Sequence, residues 1–283
     1  MNKKRKLEKV KRESVQSTKP LVTIFSPLYN KNQEHWIENW AESLAKQTFL
    51  DKMKIIIIDN CSTDGGFEVI CDLVKKYNLP AEIIQNEKNI RLWGSTKKFF
   101  RMLDTKYYAV LDPDDYYISP DKVKKAVEFL EAHEDYFGYA CNQIYEFRNG
   151  ENRTAVPREV PSQTFEDIRR TPFFQNASTT YRNYFTPEWI DKIEDFAGED
   201  PHHAFDTDTF RWMMALKHGK IYFENSIDSN YRHDVGNAGT LSHLGYLIYD
   251  MTIHIYYFKF FMKFFGVGII PTYCANFVWN YYN

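Results

Sequence analysis

The 283-residue sequence has few cysteines, little net charge and no uninterrupted apolar run long enough to span a membrane. Its four cysteines form no Cys-X-X-Cys pair, which indicates reduced thiols in a cytosolic protein. A net charge of −2 argues against a dedicated nucleic-acid-binding protein. No Gly-X-Gly-X-X-Gly sequence follows a predicted strand, which argues against a dinucleotide-dependent oxidoreductase.

Basic and aromatic residues are concentrated at the two ends of the chain. Residues 1–20 carry eight Lys or Arg against two Glu and no signal-peptide core, which predicts a mobile basic arm or one attracted to anionic lipid. Residues 253–270 are dense in aromatics, but Lys259, Lys263 and Pro271 argue against a spanning helix. Two interpretations stay open for this segment: a helix packed on the core, or one lying at a membrane surface.

The first part of the chain alternates between strand-like and helix-like segments. Strands are predicted at residues 21–26, 54–58, 81–85 and 107–111, with helices in the intervals. This alternation predicts an α/β fold with a mostly parallel sheet flanked by helices. Beyond residue 120 the pattern loosens, and the elements expected there are helices at 120–133 and 206–218 and strands at 136–147 and 220–223.

Polar residues follow three of the predicted strands, at the edge where open α/β sheets bind ligands. They are Tyr29 and Asn30, then Asp59 and Asn60, and finally the cluster Asp112-Pro113-Asp114-Asp115. Carboxylates this close raise one another's pKa unless a cation compensates them. Mn²⁺ or Mg²⁺ would do so and would also neutralise a diphosphate leaving group. A solvated Asp-rich turn is the alternative interpretation.

Taken together, these segments resemble the inverting glycosyltransferases of family 2, which have the GT-A fold. The similarity runs, in the family's order and spacing, through residues 22–30, 42–49, 55–65, 89 and 111–115. The resemblance implies a GT-A-type nucleotide-binding sheet with a mainly helical C-terminal elaboration. It divides the chain into a basic arm (1–20), a nucleotide-sugar-binding half (21–140), an acceptor and catalytic half (141–235) and an aromatic-rich helical extension (236–283).

The resemblance also implies which residues bind the nucleotide-sugar and the metal. Donor-binding positions are Pro27, Tyr29, Asp59, Asn60, Asp112 and Asp114, and metal ligands are Asp114, Asp115 and His233. The chain departs from the family's pattern at Asn60, where a second Asp is usual, and at Arg91, where a small residue is usual. Arg91 is expected either to reach phosphate oxygens or to be solvated. His233 and its neighbour Asp234 compete for the position of the family's late histidine.

An acidic residue at the start of a late helix is the family's catalytic base. Asp206 and Asp208 both match that position, and an N-capping Asp is the structural alternative. The predicted function is therefore transfer of a sugar, with inversion, from a nucleotide-diphosphate donor to a hydroxyl of a glycan or glycolipid. A UDP-sugar is the favoured donor, and surface polysaccharide biosynthesis is the favoured role. The competing hypothesis is a non-catalytic carbohydrate-binding or scaffold protein on the same fold.

Overall fold

The computed structural model describes residues 19–154, 162–169, 175–198, 205, 207–233 and 243–266. Seven strands and helices alternate in the first part of the chain: β1 (Val22–Leu28), α1 (Trp36–Ala45), β2 (Met53–Asp59), α2 (Gly66–Lys76), β3 (Ala81–Gln85), α3 (Arg91–Met102) and β4 (Tyr107–Val110). Each predicted strand and helix of this part is present, with its ends shifted by a few residues at most. The α/β fold class is therefore confirmed.

The second part of the described chain contributes six more strands, of two to thirteen residues, and four more α-helices. They are β5 (Tyr116–Tyr117), α4 (Lys122–Ala132), β6 (Tyr136–Glu146), β7 (Asn152–Thr154), β8 (Ser162–Gln163), β9 (Thr179–Arg182), α5 (Pro187–Ala197), α6 (Asp208–His218), β10 (Lys220–Arg232) and α7 (His243–Phe265). The expected strand at 220–223 continues for nine more residues. Polar residues after Phe223 hide this continuation from a pattern based on apolar alternation.

One sheet joins all the described strands, in the order β3-β2-β1-β4-β9-β6-β10-β5, with β7 pairing with β6 and β8 with β10. The first four strands pair in parallel, whereas β9 is antiparallel to both β4 and β6. Residues facing each other in β1 and β2 include Leu28 and Asp59, so these strands end level with each other. The loops that follow β1 and β2 therefore lie side by side at one edge of the sheet.

Apolar residues of the strands alternate between two cores, one on each face of the sheet. Ile55 and Ile57 of β2 face α1, α2 and α4, where Trp40 and Leu44 are completely buried. Ile56 of β2 faces the opposite core, which is shared by α3, α5, α6 and α7. The second core includes the aromatic side chains Phe99, Trp212, Tyr257 and Phe260. The C-terminal helix is thus packed on the sheet domain, as one of the two interpretations expected.

None of the helices in the described ranges is long and apolar enough to cross a membrane. The basic segment 1–18 and the residues after 266 lie outside the described residues, as do Asp206 and Asp234.

Lys122 of α4 is an exception in the interior, because its ammonium group is fully buried. It donates hydrogen bonds to Thr179 O at 3.2 Å and Thr180 Oγ1 at 3.1 Å, and it lies 4.6 Å from the centre of the Tyr117 ring. Burial lowers its pKa to about 8. The lysine joins α4 to the antiparallel strand β9 at the cost of placing a positive charge in the core.

Replacing Lys122 with Met should change how stability depends on pH. The unfolded lysine keeps its ordinary pKa of 10.5, so above pH 8 the unfolded state binds more protons than the native state. Wild-type stability should therefore rise across this window, by about 3 kcal/mol, and Lys122→Met should lose that rise. Urea unfolding at pH 7 and pH 10 measures it. Lys124→Met, at a side chain 45% exposed on the same helix, is the control, and parallel pH curves for Lys122→Met and wild type would contradict the argument.

Candidate active site

The loops after β1 and β2 are held together by hydrogen bonds at the carboxyl edge of the sheet. The backbone N–H of Asn30 donates to Ser62 Oγ at 3.0 Å, and Thr63 N–H donates to Asn30 Oδ1 at 2.9 Å. Asn30 adopts a positive φ of 51°, a conformation that Asn tolerates better than most residues. A further pair of hydrogen bonds joins Asn32 to Asp64. The two loops therefore form one rigid side of the site.

Asp59 and Asn60 are both buried, and neighbouring groups fix the orientation of their side chains. Asp59 accepts hydrogen bonds from Ser62 N–H at 3.2 Å and Gln85 Nε2 at 3.1 Å. Asn60 Nδ2 donates to Asn89 Oδ1 at 2.7 Å, while Asn60 Oδ1 accepts from a backbone N–H at 2.8 Å. The amide is used as donor and acceptor at once, which a carboxylate could not do. This pairing gives a physical reason for Asn at the position where the family usually has Asp.

Three other predicted donor-binding residues lie at the same edge of the sheet. Pro27 lies in β1 opposite Ile58, and the ring of Tyr29 just beyond it is 44% exposed. Arg91 is exposed at the start of α3 with a positive φ of 62°, and its backbone N–H donates to Asn89 Oδ1 at 2.7 Å. Contact between Arg91 and a phosphate stays a prediction.

The acidic cluster forms a tight turn directly after β4, in which Asp115 N–H donates to Asp112 O at 2.9 Å. Asp114 and Asp115 are buried and Asp112 is half-buried. Burial, followed by repulsion from Asp114, raises the pKa of Asp112. Burial and both neighbouring carboxylates raise the pKa of Asp115 well above its ordinary value. Asp114 and Asp115 therefore have little access to water, which argues against the solvated turn of the alternative interpretation.

Basic and amide groups from distant parts of the chain compensate the cluster in part. Lys31, just after β1, forms an ion pair with Asp114. Burial alone would lower the pKa of Lys31, but the three carboxylates raise it above its ordinary value. Arg232 at the end of β10 donates its backbone N–H to Asp115 Oδ1 at 2.9 Å and its guanidinium N–H to Asp114 O at 2.5 Å. One ammonium group thus faces three carboxylates.

The cluster has the chemistry of a site for a hard divalent cation, because it offers several carboxylate oxygens and an excess of negative charge. Within the described ranges, no three His, Cys, Asp or Glu side chains converge as they would around a fully protein-bound ion. Mg²⁺ and similar ions are usually held by one or two carboxylates, with water and substrate phosphates completing the shell. Asp114 and Asp115 fit such a site, and their role as ligands stays a prediction.

Asp208 is the first residue of α6, and the structure places it close to the acidic cluster. The N-cap of this helix is Thr207, whose hydroxyl accepts a hydrogen bond from Phe210 N–H at 3.1 Å. Asp208 is therefore not the N-cap, which removes that alternative. Burial raises its pKa to about 6, with Asp112 adding to the shift and Arg211 opposing it. A carboxylate with this pKa suits a general base near neutral pH.

A chain of hydrogen bonds connects this helix with the cluster. Arg211 donates to Asn176 Oδ1 at 2.7 Å, and Asn176 Nδ2 donates to Asp112 Oδ2 at 3.1 Å. Burial raises the pKa of the Tyr231 hydroxyl, and the neighbouring carboxylates Asp115, Asp208 and Asp112 raise it further. The ring of His233 lies 4.7 Å from that of Phe147, and its backbone N–H donates to Glu146 O at 2.8 Å. A metal-binding role for His233 stays a prediction.

Two contacts of the site were not predicted from the sequence: the ion pair between Lys31 and Asp114, and the hydrogen bond between Asn176 and Asp112. Lys31 directly follows Asn30 in a loop already assigned to the site, so its position was the available signal. Asn176 lies in the half of the chain predicted to bind the acceptor (141–235), and 64 residues separate it from its partner. Antiparallel β9, which the apolar pattern did not reveal, brings this segment next to β4.

This arrangement, a mixed sheet with a buried acidic turn at the carboxyl edge of its parallel strands, defines a protein of the GT-A class. A family profile described as glycosyl transferase family 2 matches residues 23–215, more than half of the chain. The chain belongs to this family, as the sequence resemblance implied.

Curated relatives and solved structures agree with this assignment. An uncharacterised glycosyltransferase of Methanocaldococcus jannaschii is 31% identical over 117 residues, covering 41% of this chain and 39% of the relative. The putative teichuronic acid biosynthesis glycosyltransferase TuaG of Bacillus subtilis is 30% identical over 112 residues, covering 40% of this chain and 42% of the relative. The chain therefore matches only about two fifths of the length of these relatives.

Two solved structures share the fold. Residues 1–349 of S. aureus TarS have a TM-score of 0.57 at 19% identity, over 83% of this chain and 65% of that fragment. A mannosyltransferase of Pyrobaculum calidifontis, solved with GDP-Man and Mn²⁺, has a TM-score of 0.52 at 16% identity, over 90% of this chain and 67% of the other. At these identities the likeness confirms the GT-A fold.

Replacing Lys31 with Met should destabilise the protein and make its stability depend more on a divalent cation. The change leaves Asp114 buried without its ion pair, which costs about 3 kcal/mol or more when a buried pair is broken. In chelator, the melting temperature should fall below that of wild type. Mn²⁺ should raise it more in Lys31→Met than in wild type, because the ion supplies the missing positive charge.

Lys46→Met is the control, since Lys46 forms an exposed i,i+4 ion pair with Glu42. Equal Mn²⁺-induced shifts in Lys31→Met and wild type would show that Lys31 and the cation do not share the carboxylates. Thermal unfolding by circular dichroism, with chelator and with Mn²⁺, provides the measurement.

Proposed function

We propose that this protein is a glycosyltransferase that transfers a sugar from a nucleotide-diphosphate donor to a hydroxyl group, with inversion at the anomeric carbon. The observation that carries the proposal is the buried acidic turn beside Asp208 at the edge where the parallel strands end. Such an excess of buried carboxylates costs stability, which is typical of a site kept for a charged ligand.

The donor would lie across the ends of β1, β2 and β4. Its base and ribose would contact Pro27, Tyr29, Asp59 and Asn60, whose hydrogen bonds within the protein hold this side of the site in place. Lys31 and Arg91 are the basic groups for the diphosphate. UDP is the favoured nucleotide, and TarS, whose fold is similar, has been solved with UDP and with UDP-GlcNAc.

A divalent cation, Mn²⁺ or Mg²⁺, would supply positive charge that stabilises the departing diphosphate. Asp112 and Asp114 would hold the donor, with Asp114, Asp115 and His233 as the protein's ligands to the ion. Asp208, or Asp206 in the segment just before it, would accept the proton of the attacking hydroxyl group. Arg211 and Asn176 keep Asp208 and Asp112 in a fixed relation, so that positioning provides much of the rate.

The acceptor would be a glycan or a glycolipid, and the pathway surface polysaccharide biosynthesis. Two of the matched relatives carry names of this kind: a teichuronic acid biosynthesis glycosyltransferase and a processive diacylglycerol β-glycosyltransferase. A cytoplasmic protein in peripheral contact with the inner face of the membrane fits these acceptors. The free thiols of Cys61, Cys71 and Cys141 accord with a reducing compartment.

Replacing Asp114 with Asn should weaken metal-dependent binding of the nucleotide and leave the fold intact. The substitution removes one carboxylate charge from the cluster but keeps its size, and a lost charge-assisted contact costs about 1.5–3 kcal/mol. Calorimetric titration with UDP, GDP and CDP, each with Mn²⁺ and with chelator, measures the effect.

Wild type should bind one of the three nucleotides, and only with Mn²⁺, whereas Asp114→Asn should bind it at least tenfold more weakly by the same energy scale. Asp121→Asn is the matched control, because Asp121 lies outside the cluster and accepts an exposed hydrogen bond from the Thr48 hydroxyl. If wild type binds none of the nucleotides under either condition, the scaffold hypothesis replaces the enzyme.

Replacing Asp208 with Asn should abolish turnover while leaving nucleotide binding unchanged. A general base contributes about a hundredfold to ten-thousandfold to the rate. Release of the nucleotide from its sugar, with water as the acceptor, reports turnover. Because only the carboxylate accepts a proton, the wild-type rate should fall about tenfold per pH unit below the Asp208 pKa of about 6.

Asp206→Asn is the paired variant in the same assay. If Asp206→Asn is the inactive variant and Asp208→Asn turns over normally with an unchanged acid limb, then Asp206 is the base instead.

A further inference from the structure

The C-terminal helix α7 exposes a stripe of large apolar side chains. Ile255, Phe258 and Met262 are 51%, 37% and 46% exposed, and they are three of the seven large apolar residues that stand out as exposed in the described structure. Their spacing of three and four residues places them on one face of the helix. Three such neighbours on one element form a continuous patch, unlike the isolated exposed residues elsewhere. We call Ile255, Phe258 and Met262 the α7 stripe.

Two lysines border this stripe along one side. Lys259 and Lys263 are exposed, and each lies over an aromatic ring, Lys259 at 5.9 Å from the centre of Tyr256 and Lys263 at 5.3 Å from that of Phe196. Within the described ranges, neither ammonium nitrogen lies within 4 Å of a carboxylate oxygen. The outer face of α7 therefore combines apolar bulk with positive charge that no described acidic side chain neutralises.

The inner face of the same helix is firmly attached to the domain and to the predicted base. Tyr257, Phe260 and Phe261 are completely buried in the core shared with α5 and α6. The Tyr257 hydroxyl forms a hydrogen bond with the hydroxyl of Thr207, the residue before Asp208. Tyr257 lies on the side of α7 that faces away from the α7 stripe. The stripe and Thr207 are therefore separated by the diameter of the helix, ~10 Å.

We propose that the outer face of α7 binds flat on the surface of an anionic lipid bilayer, with the α7 stripe in the headgroup region and Lys259 and Lys263 on lipid phosphates. A helix face that exposes apolar side chains with lysines beside them binds in this way. Each lysine near an anionic surface adds about 1 kcal/mol. Docking would bring the Asp208 side of the site close to the membrane, where the hydroxyl of a lipid-linked acceptor is found.

Charge complementarity favours lipid over the other occupants of this face. A second copy of the chain would bring two further lysines against Lys259 and Lys263, and like charges repel across an interface. Residues 267–283, which follow α7, contain no Asp, Glu, Lys or Arg and so offer the lysines no counter-charge. Their five aromatic residues include Trp279 and two adjacent tyrosines, residue types enriched at membrane surfaces. An anionic bilayer satisfies the stripe and the lysines together.

Flotation of the full chain with vesicles tests the proposal. One set of vesicles contains equal parts phosphatidylglycerol and phosphatidylcholine, and the other contains phosphatidylcholine alone. Wild type should bind the anionic vesicles and not the neutral ones. The triple variant Ile255→Asn/Phe258→Asn/Met262→Asn should bind more than tenfold more weakly. Lys259→Gln/Lys263→Gln should bind about tenfold to thirtyfold more weakly, from the loss of two charges.

Ile118→Asn is the matched control, because Ile118 is 41% exposed, lies outside α7 and has no assigned role in the site. It should bind vesicles like wild type. The basic segment 1–20 could also bind anionic lipid, and it is intact in every variant. If the stripe and lysine variants float as well as wild type, that segment carries the binding and the proposal is wrong.

Two further outcomes would also overturn the proposal. If wild type does not float with anionic vesicles, the face is not a lipid-binding surface. If wild type is a dimer by sedimentation and the triple variant a monomer, a second copy covers the stripe. Nucleotide binding measured on the same samples shows that each variant is folded, and it tests the proposed donor binding independently of lipid binding.

Discussion

Three carboxylates in one buried turn impose the main physical constraint on this structure. Asp112, Asp114 and Asp115 follow a strand whose side chains are almost entirely shielded from water, and burial raises the pKa of the first and last of them. Such charges persist only where partners compensate them. The compensation comes from Lys31 and Arg232, which are 201 residues apart in the sequence but meet at this turn. The position of both residues is thus tied to the turn.

The same constraint organises the C-terminal half of the domain. Asn176 reaches Asp112 because β9 pairs in antiparallel with β4, and Arg211 holds Asn176 from α6. Thr207 is the N-cap of that helix, and its hydroxyl forms a hydrogen bond with the hydroxyl of Tyr257 in α7. Packing of α7 is therefore linked, through a short series of contacts, to the carboxylate that we assign as the base. A change on the membrane-facing helix and a change in the acidic turn act on connected parts of one site.

The sequence predicted the fold of the first part of the chain well, because each element there has a local signal. The continuous apolar run of β2 and the four-residue spacing of Trp36, Trp40 and Leu44 depend only on near neighbours. The pairings of the site depend on long-range topology instead. Nothing in the sequence near Lys31 or Asn176 shows that an aspartate 83 or 64 residues away is its partner. The polar second half of β10 was missed for a related reason, since its residues pair with β6 and β5, which lie far earlier in the sequence.

Charge also determines how the proposed substrate and cation would depend on each other. A nucleotide diphosphate carries further negative charge, and Lys31 and Arg232 compensate the three carboxylates of the turn only in part. Repulsion would oppose the donor unless a cation arrives with it, and the cation would gain phosphate oxygens only when the donor is present. Each ligand would then raise the affinity for the other by the same factor, as linkage requires. In the proposed reaction, the acidic turn would therefore bind donor and cation together and release both after transfer.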